Sequence, residues 1–94
     1  MKKYYWFDGF DGGDGSEPFD TFEEAEKAAI EQAAGIRLTR RELDNLIKKC
    51  ENYIFIGYIE FPENATEEDF SEKDGEFIEI NAVELNEETL DRIY

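Results

Sequence analysis

The chain has no histidine, one cysteine, two prolines and ten lysines and arginines among its 94 residues. Histidine is the commonest general base and metal ligand at neutral pH, so its absence excludes the usual catalytic triads and ordinary zinc sites. The two serines, Ser16 and Ser71, have no base near them in sequence. The lone Cys50 cannot close an internal disulfide, which suits a reducing compartment. No apolar run is long enough to span a bilayer, and no charged start leads into an apolar stretch with a cleavage site, so a cytoplasmic location is expected.

Acids are what the chain has in excess. Twenty-five Asp and Glu against ten bases give a net charge of −15, which would repel nucleic acid or an anionic membrane and directs attention to basic proteins or cations as partners. The apolar share of 40%, with eight Phe and five Tyr, is too high for a disordered acidic tail. Length and composition fit one acidic α+β domain over 1–94.

The run KKYYWF at 2–7 is dense in aromatics and predicts a first strand. DGFDGGDGS at 8–16 predicts a loop, its glycines supplying positive φ and its aspartates local turns. A calcium reading of that loop fails the EF-hand spacing, since glycines or Phe10 fall where oxygen ligands belong. A looser calcium site would use Asp8, Asp11, Asp14 and Glu17, which also form a candidate secondary acidic patch. Thr21 followed by Glu24 predicts a capping box, and Gly35 a left-handed stop, for a helix with Phe22, Ala25, Ala29 and Ala33 on one face.

Thr39 and Glu42 repeat the start signal for a second helix, with Leu43, Leu46, Ile47 and Cys50 as an inward stripe and Cys50 as a small core residue. The segment from Arg37 to Lys49 is the one net-basic part of the chain, and is a candidate homodimer surface or a partner for the acids through Arg37, Arg40 and Arg41. Residues 53–61 are apolar on both alternating faces and predict a central strand, with Gly57 marking a bulge or close backbone approach. A third strand is expected over 76–85 after the Asp74-Gly75 turn, and a short C-terminal helix after Asn86, carrying Leu90, Ile93 and Tyr94. The expected fold is a small three-stranded, largely antiparallel sheet with two helices packed on one face, in the order β-α-α-β-β-α.

Between the last two strands lies ENATEEDFSEKDGEFIE, residues 63–79, where eight carboxylates accompany the single cation Lys73. Thr66 before Glu67, Glu68 and Asp69 suits a turn or two of helix, with Phe70 pointing inward. The candidate partner-binding residues are Glu63, Glu67, Glu68, Asp69, Glu72, Asp74, Glu76 and Phe70. Helix neighbours three and four apart lie ~5–6 Å from each other. That is the same order as the ~3.4 Å axial spacing of phosphates along one DNA strand. A row of carboxylates can therefore imitate a phosphate backbone.

In size and charge the chain is similar to the small acidic proteins with which phages and mobile elements inhibit CRISPR or restriction nucleases. An immunity protein against a basic nuclease shares the same physics. No family motif carries the likeness, so it assigns no residues. The expectation is a non-enzymatic inhibitor that mimics nucleic acid toward a basic nucleic-acid-binding protein, with no cofactor and no metal. The alternatives are an adaptor whose acidity only aids solubility, and a weak calcium-binding domain. Paired carboxylates of the glycosidase kind carry no signal where acids are this abundant.

Overall fold

The computed structural model describes residues 1–9 and 15–87. It is an α+β fold in the order β1 (Lys2–Asp8), α1 (Phe22–Gly35), α2 (Arg40–Lys48), β2 (Tyr53–Glu60), α3 (Glu67–Glu72) and β3 (Phe77–Glu84). The sheet is antiparallel throughout, with the apolar β2 between β1 and β3. The expected order omitted α3 as a separate element because six residues seldom declare a helix in sequence; it lies inside the acidic connection. The expected C-terminal helix falls on 88–94, outside the described residues.

Alternation along the strands separates two cores. Ile54 and Ile56 of β2 meet Ala25, Ala29 and Ala33 of α1, with Leu38, Leu43 and Leu85 completing the cluster. Three alanines let α1 lie close to the sheet, while α2 reaches this core through Leu43. On the opposite face Tyr5, Ile59 and Phe61 pack with Phe70 of α3. The acidic connection is thereby fastened to the sheet face that α1 leaves open.

Several local expectations hold and others need correction. Thr39 and Glu42 form a full capping box, whereas the Glu24 carboxylate accepts the Thr21 hydroxyl rather than a backbone N–H. Helix α1 ends without a left-handed residue, because Ile36 continues in extended backbone with its N–H on Ala33 O. Cys50 is exposed, not core: α2 stops at Lys48, and Cys50 follows at φ 58°, off the helical stripe. Asn52 is buried and bridges strand ends, its Nδ2 donating to Leu85 O at 3.2 Å and its backbone carbonyl accepting from Leu85 N at 2.7 Å.

Gly57 does mark a bulge. Ile56 pairs with Asn81 and Gly57 with Glu79, which leaves Ile80 as the extra residue on β3. A Cβ at position 57 would lie 2.0 Å from the Ile78 carbonyl oxygen.

The second core contains one buried polar group. Tyr5, fully buried, donates its hydroxyl to Phe70 O at 2.6 Å. Burial pushes its phenol up from 10.0 to about 12. Folding thus favours the protonated phenol: the contribution is complete below pH ~10 and is lost as pH rises through about 12. In an ultraviolet titration one tyrosine is expected to ionise late and together with unfolding. Tyr5→Phe should remove that step and destabilise the fold by about 0.5–1.5 kcal/mol through the lost hydrogen bond, since Phe70 O keeps the Lys73 N–H as a donor. Ionisation of every tyrosine in one step near pH ~10 would contradict the buried hydrogen bond.

Candidate acidic interface

The acidic connection is built on a short helix with both ends specified. Thr66 caps α3, its hydroxyl accepting from Asp69 N at 3.4 Å while the Asp69 carboxylate accepts from Thr66 N at 2.9 Å. Glu67, Glu68 and Asp69 occupy the first turn, where the helix dipole favours negative charge by roughly 0.3–1 kcal/mol each. At the other end Lys73 turns left-handed at φ 56° and its N–H donates to Phe70 O. Gly75, at φ 152°, then feeds the chain into β3.

Glu63, Glu67, Glu68, Glu72, Asp74 and Glu76 are all exposed. Among the described residues none of these six enters an ion pair; the pairs are the Met1 amino group with Glu60, Lys3 with Asp20, and Arg40 with Glu87. The cation of the stretch does not neutralise them either, since the Lys73 ammonium lies 5.9 Å from the centre of the Phe7 ring. Glu68 and Glu72, four apart on α3, share one helix face. The result is an outward carboxylate surface on a fixed helix and turn.

Two members of the candidate set serve the fold. Asp69 is half-buried and closes the cap. Phe70 is 8% exposed, edge-on to Phe61 at 4.9 Å, with the Lys3 ammonium 4.9 Å from its ring centre. Its ring is thus core, not a surface anchor. Phe19 and Phe77 also turn in, with Phe19 packed on the first core and Phe77 edge-on to Phe7 at 4.7 Å.

Of the secondary patch, Asp8 is half-buried at the end of β1 and Glu17 is exposed, while Asp11 and Asp14 lie outside the described residues. The loose calcium reading therefore falls largely outside them too. Among the described residues no group of three or more metal-ligating side chains gathers. In the basic segment Arg37, Arg40, Arg41, Lys48 and Lys49 are exposed, and Arg40 pairs with Glu87 instead of the acidic stretch. A groove beside them, lined by Asp8, Arg37, Glu42, Lys49 and Glu51 among others, carries both signs of charge and contains no residue from 63–79.

Strand order exposes one feature that periodicity concealed. Ile78 and Ile80 of β3 are 38% and 50% exposed, and β3 is an edge strand. Among the described residues no helix is long and apolar enough to cross a membrane. No family model, curated protein or solved structure matches this chain.

Proposed function

We propose that this chain is a non-enzymatic acidic binding protein that occupies the nucleic-acid-binding surface of a basic protein, as an inhibitor by mimicry of the phosphate backbone. The observation that carries the reading is the set of exposed carboxylates on α3 and the following turn that make no ion pair among the described residues. They are held by a capped and anchored helix, so their spacing is set before the partner arrives. Complementary fields of this kind raise encounter rates toward ~10⁸–10⁹ M⁻¹s⁻¹ and make association sensitive to salt.

The test is a pull-down with tagged protein from lysate of its own source, washed at low salt and eluted at high salt, with the eluate identified by mass spectrometry. A nucleic-acid-binding protein should elute as salt rises. Glu63→Lys, Glu72→Lys and Glu76→Lys together should reduce its capture at least tenfold. These positions spare the Thr66 cap and the dipole-favoured first turn, so the variant should keep its wild-type melting temperature. Capture that resists salt and survives the triple reversal would overturn the reading.

A further inference from the structure

We infer that the first half of β3 takes up an extended segment of the basic partner as a fourth strand, apolar side chains lying beside Ile78 and lysines or arginines beside Glu79. This deepens the proposed function and rests on it. The two edges of the sheet differ. The outer side of β1 is closed by residues 15–19: Tyr4 and Phe19 exchange both backbone hydrogen bonds at 2.9 Å, and Ser16 N donates to Trp6 O at 2.9 Å. Among the described residues no segment closes the outer side of β3 in this way.

The register shows which groups that edge presents. Met1 and Phe61 exchange both backbone hydrogen bonds, so the odd-numbered residues of β2 direct their backbone toward β1 and the even-numbered ones toward β3. Tyr58 and Ile78 therefore face each other, and Phe77 and Glu79 turn their backbone outward. Past the bulge the same alternation turns Ala82 outward, but its N–H already donates to the Asn81 side chain at 2.9 Å. Before the bulge, by contrast, the Phe77 and Glu79 N–H groups have no partner among the described residues.

Side chains specify the occupant. Ile78 is on the α1 face of the sheet, opposite Tyr58. Ile30, 53% exposed, lies on the flank of α1 away from Ala28 and Gln32, which border Trp6 and Phe19 on the β1 side, and so on the flank turned toward β3. Glu79 lies on the other face, that of α3 and its carboxylates. An added strand thus meets apolar surface on one side and acids on the other, which a segment alternating apolar and basic residues satisfies at the two-residue period of a strand. A second copy of this chain is disfavoured, since antiparallel self-pairing about a two-fold axis would bring Glu79 close to its own equivalent and set two chains of net charge −15 edge to edge. The devices that prevent self-association admit a strand of opposite charge.

The probe is an eight-residue peptide alternating valine and lysine, blocked at both ends, added to the intact protein and followed by NMR amide exchange. Exchange at Phe77 and Glu79 N–H is expected to slow at least tenfold. Methylating the backbone nitrogen of every lysine or of every valine blocks one edge of the peptide, so one of these two analogues should lose at least tenfold in affinity while the other binds as the parent. Glu79→Lys should weaken the parent peptide by a similar factor.

If a block-ordered peptide of the same composition and both methylated analogues bind like the parent, attraction is to the carboxylate surface alone: the strand inference is overturned and the acidic reading stands. No binding at millimolar peptide also overturns the strand inference, with the salt-eluted capture above deciding the other independently. Strand docking that ignores salt and Glu79→Lys would remove the charge selection on which the inference depends.

Discussion

Alanine at position 57 is expected to destabilise the fold by about 3 kcal/mol, the upper end of the range for overpacking, because the obstacle is backbone. Its Cβ would meet the Ile78 carbonyl oxygen at 2.0 Å, the Ile78 carbonyl carbon at 2.8 Å and the Glu79 Cα at 2.9 Å. No rotamer change relieves such contacts, and only separation of β3 from β2 does. Gly35 supplies the control, since a Cβ there meets nothing within 4 Å. Gly35→Ala at the end of α1 should be neutral or stabilise by about 0.4–1 kcal/mol, through the unfolded chain. Urea melts of the two variants measure the contrast, and a Gly57→Ala midpoint equal to wild type would contradict the close approach.

The same substitution separates β3 from the rest of the molecule. Among the described residues β3 pairs only with β2, so amide protection should be lost first along Phe77–Glu84 and last in α1 and the centre of β2. The exposed carboxylates of α3 would remain, but the edge bearing Ile78 and Glu79 would lose its backing. Gly57→Ala should therefore abolish strand docking while leaving salt-dependent attraction in place.

Much of the short-range chemistry was readable from sequence. The caps at Thr39 and Thr66, the turn at Asp74-Gly75 and the bulge at Gly57 each follow from residue type and spacing within a few positions. Two short-range signals fail, the left-handed stop at Gly35 and the reciprocal half of the box at Thr21, and the other errors are non-local. Cys50 continues the helical spacing of Leu43 and Leu46, yet α2 ends two residues earlier and the chain turns left-handed there. The exposure of Ile78 and Ile80 depends on strand order, which places β3 at an edge that α1 scarcely covers. The carboxylates of 63–79 were legible as charge, but their outward orientation is fixed by which side of a six-residue helix Phe70 occupies. That depends on a pocket made by Tyr5 and Phe61, 65 and nine residues away in sequence.

Truncating Phe70 tests that dependence. Phe70→Ala is expected to cost about 3 kcal/mol, from the lost packing on Phe61 and the cavity left beside Tyr5. A six-residue helix cannot stand alone in water, so α3 should fray once its anchor is removed, with fast exchange at Phe70 N–H, which donates to Thr66 O at 3.2 Å. The carboxylate surface would then lose its fixed spacing, and capture of a basic partner should fall even though every acid is still present. An alanine scan would score Phe70 as a contact residue for that reason. Phe70→Leu separates the two causes: leucine refills most of the pocket, so exchange protection in α3 and partner capture should recover together. If capture stays lost while α3 is protected, the aromatic ring itself reaches the partner and its placement in the core is wrong.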